Sequence, residues 1–235
     1  MKERIIVALD TDSPEQALAT VDLLAGEVGV FKVGMELFPR GGPALVERIR
    51  ERGGEVFLDL KFHDIPNTVE GAVRSAAALG VRFATVHAGG GRAMLSAAAR
   101  AAEGSGTVLL AVTVLTSLDD ADLLDIGFAR PAAETVLGLA GLAAEAGIRG
   151  IVSSAREVEA VRSRVGPGAI LVTPGVRFPE EGAGDQKRVV TPFDAVRAGA
   201  DYLVVGRPIT RAKDPSAAAR RFAAEVARAL RTRAD

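Results

Sequence analysis

Short apolar runs, separated by longer stretches with helical periodicity, set the rhythm of the chain. Arg4 to Leu9, Val28 to Val33, Glu55 to Leu58, Val81 to Val86, Thr107 to Val114, Gly150 to Val152, Ala169 to Val172 and Tyr202 to Val205 read as strands. Each is short, rich in apolar residues and bounded by glycine, proline or polar residues. Between them the spacing changes. Ala17, Leu18, Val21 and Leu24 recur at helical intervals after Ser13-Pro14-Glu15, a cap followed by a proline in the first turn. Further helices are predicted from Pro43 to Arg52, from Pro66 to about Leu79, from the Gly89-Gly90-Gly91 run to about Ala102, and from about Ala132 to Ala146. Others follow from about Ala155 to Val165, after Thr191-Pro192, and from Ser216 to Arg231. The acidic stretch with Asp119, Asp120, Asp122 and Asp125 reads as a polar insertion, and Pro174 to Val190 as a long Gly- and charge-rich loop.

A strand–helix unit repeated about eight times over 235 residues predicts an α/β protein, a (β/α)8 TIM barrel folding as a single domain over residues 1–235. A doubly wound sheet would need a glycine fingerprint after the first strand, and Leu9-Asp10-Thr11-Asp12 lacks one. In a barrel of this kind functional groups gather at the C-terminal strand ends. Those ends carry Asp10, Lys32, Asp59 with Lys61, His87, Thr116, Ser154, Arg177 and Gly206-Arg207. The strand starts carry no comparable set.

The third strand is the most informative. Side chains alternate faces along a strand, so Asp59 and Lys61 point the same way, with Cα atoms about 6.5–7 Å apart. Leu58 and Leu60 point the other way. Opposite charges on an inward face are costly unless paired. Lys32 lies in the apolar run Phe31-Lys32-Val33, and a closed barrel has no edge strand to leave it solvated. Lys32, Asp59, Lys61 and Asp64 can therefore form an alternating array of charges, although a purely structural ion network has the same composition. The plain alternatives are that Asp10 caps the turn at Ser13 and that Asp64 caps the following helix.

Composition sharpens the lysines. They occur only at Lys2, Lys32, Lys61, Lys187 and Lys213, and the rest of the 29 basic residues are arginine. An ammonium can release a proton where a guanidinium cannot. Cysteine is absent, which excludes disulfides, thiol nucleophiles and thiolate metal sites. Net charge is −1, giving no bulk electrostatic case for nucleic acid or an anionic membrane. No apolar run spans a bilayer. The N-terminus enters a strand directly, unlike a secretory leader, and a cytoplasmic location is expected. His63 and His87 have no metal-ligand spacing, and no G-x-S-x-G elbow is present. After the last strand, Gly206-Arg207-Pro208 suits a phosphate, with a small residue admitting it to backbone N–H groups and an arginine donating to its oxygens. The 174–190 loop, with Arg177, Gln186, Lys187 and Arg188, suits a lid closing on such a group.

These residues together resemble the orotidine 5′-monophosphate decarboxylase family over essentially the whole chain. The resemblance is carried by Val7-Ala8-Leu9-Asp10, Phe31-Lys32-Val33-Gly34, the block from Asp59-Leu60-Lys61 through Asp64-Ile65-Pro66-Asn67-Thr68, Thr116, Pro174-Gly175-Val176-Arg177 and Val205-Gly206-Arg207-Pro208-Ile209. It implies decarboxylation of orotidine 5′-monophosphate to uridine 5′-monophosphate, the last step of UMP synthesis, with no cofactor and no metal. Lys61 would protonate C6, Asp59 would orient Lys61, Lys32 would pair with Asp59 and contact ribose, and Asp10 would hold a ribose hydroxyl. Thr116 belongs to the implied substrate-binding set, and Ser154 would address the pyrimidine edge. Gln186, Gly206 and Arg207 would hold the phosphate, with Arg177 in the same loop region. Asp64 and Thr68 would reach the neighbouring site of a homodimer. Relatives acting on sugar phosphates share Asp-x-Lys-x-x-Asp but resemble a Mg²⁺-dependent pattern with Glu in place of Lys32. A barrel that keeps only nucleotide binding is the other alternative.

Overall fold

The computed structural model describes residues 1–179 and 190–234. Eight strands close into a parallel barrel in chain order: β1 (Ile5–Ala8), β2 (Val30–Gly34), β3 (Glu55–Phe62), β4 (Phe83–His87), β5 (Val108–Val112), β6 (Gly150–Val152), β7 (Ile170–Pro174) and β8 (Tyr202–Val205). β8 pairs back onto β1, with Ile6 opposite Val204. The predicted (β/α)8 architecture is found.

The helices wrap the outside. They are α1 (Pro14–Leu24), α2 (Phe38–Glu51), α3 (Pro66–Ala78), α4 (Gly91–Ala102), α5 (Asp120–Asp125), α6 (Ala132–Glu145), α7 (Val158–Val165), α8 (Pro192–Ala198), α9 (Arg207–Thr210) and α10 (Pro215–Ala234). Local chemistry sets several starts. The Ser13 hydroxyl accepts from the Gln16 amide ahead of Pro14, and the Thr191 hydroxyl accepts from the Asp194 amide ahead of Pro192.

Three stretches differ from expectation. The acidic 119–125 stretch is helical, because Asp119 and Asp122 form a reciprocal capping box in which each side chain accepts from the other's backbone N–H. α2 begins at Phe38 and bends at Gly42, whose φ of 56° breaks the run ahead of Pro43. A one-turn helix, α9, follows Gly206 where a loop was expected.

Two apolar layers hold the fold. Outward residues of the strands, such as Val7, Phe31, Val33, Leu58, Val86 and Ile151, pack with Leu24, Ile49, Val73, Leu95 and Phe222 of the helices. Inside the barrel, Ile6, Val30, Phe57, Phe83, Leu110 and Val172 form a separate plug. Phe83 is its hub, edge-on to Phe57 at 6.0 Å and to Tyr202 at 5.1 Å, with Arg82 over the Phe83 ring. The plug lies below the charged residues, which gather at the C-terminal mouth.

Removing the Phe83 ring would open a cavity that the closed strands cannot collapse into. Phe83→Ala should destabilise the fold by about 3–5 kcal/mol, read as a lower urea midpoint at unchanged slope. A loss below about 1 kcal/mol would mean that the plug is not a principal support.

Candidate active site

The alternation predicted for β3 is realised. Leu58 and Leu60 face the helices, and Asp59 and Lys61 face the barrel axis. Lys61 Nζ lies 2.9 Å from Asp59 Oδ1 and 3.0 Å from Oδ2. From the adjacent strand, Lys32 Nζ lies 3.6 Å from Asp59 Oδ2 and 3.1 Å from Asp10 Oδ1. The chain of charges is thus Asp10, Lys32, Asp59, Lys61, across β1, β2 and β3. Asp59 and Lys32 are each only 13% exposed, so their attraction is weakly screened, whereas Asp10 at 63% reaches solvent. Gly34 leaves the space Lys32 needs, since a Cβ there would sit 3.2 Å from Nζ.

The proposed caps are not formed. Asp10 pairs with Lys32 instead of capping α1, whose cap is Ser13. The N-cap of α3 is Ile65, without a side-chain bond, and Asp64 Oδ1 only accepts from the Ile65 amide at 2.6 Å. The expected fourth member of the array is also not joined to it within one chain. Asp64 and Thr68 are exposed at the start of α3, next to Ile65, itself 66% exposed.

Lys61 is held in an unusual backbone state. Its φ is +50°, the only positive value at a non-glycine residue among those described. Such a conformation costs about 1–2 kcal/mol in an L-residue. It coincides with an irregularity in the β3–β4 ladder. Leu58 is opposite Ala84 and Phe62 opposite Val86, so four steps on β3 face two on β4. The excess carries Asp59 and Lys61 into the mouth. Thr85, fully buried, fills the gap: its hydroxyl accepts from the Lys61 amide at 2.8 Å and donates to Asp59 Oδ1 at 3.0 Å. Thr85 was not among the residues expected from sequence. The signal was available, because a lone polar residue sits inward in Phe83-Ala84-Thr85-Val86.

Above Thr85, His87 stacks on His63 with ring centroids 5.3 Å apart. Burial, reinforced by the neighbouring His63 and Lys61 charges, holds the His87 imidazole below its ordinary value. Among the described residues, no group of three or more His, Asp or Glu is arranged to hold a metal ion.

The far side of the mouth is different in character. Thr116 and Ser154, with Pro174, Gly175 and Val190, line a cavity of about 380 Å³ at the ends of β5–β7. The Ser154 hydroxyl is already committed, donating to Glu157 Oε2 at 2.6 Å. Arg177 is buried, its backbone N–H bonded to the Val190 carbonyl. At the end of β8, Gly206 lies against β1, where an added Cβ would be 3.6 Å from Asp10 Oδ2. Arg207, exposed, follows it as the first residue of α9. Gln186, Lys187 and Arg188 fall in 180–189 and lie outside the described residues.

A family model described as orotidine 5′-phosphate decarboxylase / HUMPS matches residues 3–222. The chain belongs to that family. A protein of Moorella thermoacetica named orotidine 5′-phosphate decarboxylase is 52% identical over 233 residues, covering 96% of this chain and 92% of its own. One of the same name from Halorhodospira halophila is 56% identical over 229 residues, covering 96% and 97%. Among solved structures, orotidine 5′-phosphate decarboxylase from Lactobacillus acidophilus superposes with a TM-score of 0.84 at 39% identity, covering 95% of this chain and 99% of that one. An uncharacterized conserved protein from Geobacillus kaustophilus gives 0.81 at 40%, covering 94% and 99%.

The His87 environment has a consequence for stability. A folded-state value below the unfolded one means that the unfolded chain binds more protons, so stability falls as pH drops below about 6.5. The difference in unfolding free energy between pH 8 and pH 5.5 should be smaller in His87→Gln than in the parent. Equal differences would show that His87 is not a source of the acid sensitivity.

Proposed function

We propose that the protein decarboxylates orotidine 5′-monophosphate to uridine 5′-monophosphate, the last step of UMP synthesis, without a cofactor. The observation that carries this reading is the Asp59 carboxylate held between two ammonium groups at the barrel mouth. Loss of CO₂ from C6 leaves an electron pair on a vinylic carbon with no conjugated sink. An ammonium beside that carbon stabilises the developing charge and then delivers the proton that replaces CO₂. Lys61 is the candidate for both tasks: its Nζ–H bond breaks, C6–H forms, and the neutral amine regains a proton from solvent. Asp59 fixes the direction of that ammonium through both carboxylate oxygens. Lys32 and Asp10 continue the array toward solvent, where a ribose would lie.

The arrangement also bears on the metal-dependent alternative. The position between the Asp10 and Asp59 carboxylates, where a divalent cation would bind, is filled by the Lys32 ammonium. The cation there belongs to the protein itself.

Phosphate recognition falls to Gly206 and Arg207 beside Asp10, with Arg177 and Gln186 from the preceding loop. Thr116 and Ser154 face the substrate from the β5–β6 side. Binding energy from the remote phosphate would then assist in ordering the charged centre, so part of it appears in the rate. A homodimer is part of the same proposal. Asp64 and Thr68, exposed and unjoined to their own array, would complete the neighbouring site, and the exposed Ile65 between them suits a covered surface. The working location is the cytoplasm. No helix among the described residues is long and apolar enough to cross a membrane.

Purified protein with excess chelator should consume orotidine 5′-monophosphate, followed by its ultraviolet absorbance. No turnover would overturn the proposal, and turnover only after added Mg²⁺ would favour the metal-dependent alternative. Lys61→Ala should lose kcat by at least about 100-fold, the scale of a lost general acid, while still binding uridine monophosphate. Near-normal turnover would remove Lys61 from the proton-donor role. Arg207→Ala should weaken phosphorylated ligands selectively, and an equal loss for a nucleoside without phosphate would contradict its assignment.

A further inference from the structure

The least expected polar group at the mouth is a single buried hydroxyl. Thr85 is fully buried on the inward face of β4. The hydroxyl offers one hydrogen and accepting lone pairs, and both functions are used on β3. It accepts from the Lys61 amide at 2.8 Å and donates to Asp59 Oδ1 at 3.0 Å. Those bonds cross the place where the β3–β4 ladder slips out of register. In a regular ladder the Lys61 amide would bond to a carbonyl of β4. With φ at +50° it turns toward the Thr85 side chain instead. Without Thr85 the part-buried Lys61 N–H would lose its partner, and such groups are costly to leave unpaired.

One oxygen therefore ties the strained backbone of Lys61 to the carboxylate that aims its side chain. Asp59 Oδ1 is shared by Thr85 and Lys61, while Oδ2 faces Lys61 and Lys32. Rotation of the carboxylate would move the Lys61 ammonium with it, and the Thr85 bond opposes that rotation.

We propose, on the decarboxylase reading above, that Thr85 is a positioning residue for the reaction: through its hydroxyl it fixes the Lys61 backbone and the Asp59 carboxylate, and so the line along which Lys61 delivers its proton. Thr85 does not touch substrate. Its effect passes through Asp59 and Lys61, and it belongs to kcat, since misplacing a reacting group by an ångström lowers rate without removing a ground-state contact.

Two variants isolate the hydroxyl without adding bulk. Thr85→Ser and Thr85→Ala both remove the methyl, and only serine keeps the oxygen. The Ser variant should stay within about threefold of the parent in kcat, and the Ala variant should fall by about 10–100-fold, with KM for orotidine 5′-monophosphate nearly unchanged in both. Hydrogen exchange at the Lys61 amide, read by NMR with bound uridine monophosphate, should be slow in the parent and Ser proteins and faster in Ala. Equal kcat in Ser and Ala, or a loss confined to KM, would overturn the proposal. So would a Lys61 amide equally protected in both. If the parent itself does not turn over orotidine 5′-monophosphate, the decarboxylase reading fails, and exchange at the free protein's Lys61 amide still decides whether the hydroxyl holds that backbone.

Discussion

The structure depends on one carboxylate being shared by two cations inside a closed barrel. Asp59 is largely removed from water, and so is Lys32. An unpaired charge at such depth is strongly destabilising, and a pair is tolerated only with good geometry and further hydrogen bonds. Lys61 supplies bidentate contact, Thr85 a hydroxyl, and Lys32 a second positive neighbour that is itself balanced by Asp10. Removing any one of Asp10, Lys32, Asp59 or Lys61 leaves a neighbour with surplus charge, so these four charged side chains act as a unit. The apolar plug beneath, centred on Phe83, keeps water from relieving that constraint from below.

Much of this was legible in the chain. Eight apolar runs separated by helical periodicity leave a barrel or a doubly wound sheet, and the missing glycine fingerprint after the first strand favours the barrel. Period-two alternation put Asp59 and Lys61 on one face, and the structure agrees. What was not legible in the Lys61 backbone follows from one event, the register slip between Leu58 and Phe62. Alternation assumes a continuous ladder. The positive φ of Lys61 and the use of a side chain as its backbone partner arise where that assumption stops. The 119–125 helix was missed differently: four aspartates look like a solvated loop until two of them are seen to cap a helix with each other.

Roles are less visible than positions. Capping was a plain reading of both Asp10 and Asp64 by sequence, and neither caps a helix. Asp10 was drawn to Lys32 across the β1–β2 interface, a contact that needs the strands to be neighbours. Asp64 instead sits exposed one residue ahead of the N-cap Ile65, and its carboxylate accepts only from the Ile65 amide.

The ring of strands divides into two arcs. Asp10, Lys32, Asp59, Lys61, Thr85 and His87 all come from the contiguous arc β1–β4, bound to one another by ladder bonds and ion pairs. The opposite arc presents Leu110, Val152 and Val172 toward the axis and ends in the cavity lined by Thr116 and Ser154. These side chains of the second arc carry no charge and take no part in the ion pairs of the first. A lineage descended from such a barrel can therefore remodel what it admits to the mouth while inheriting its charged half intact, and selection can act on the two halves at different rates.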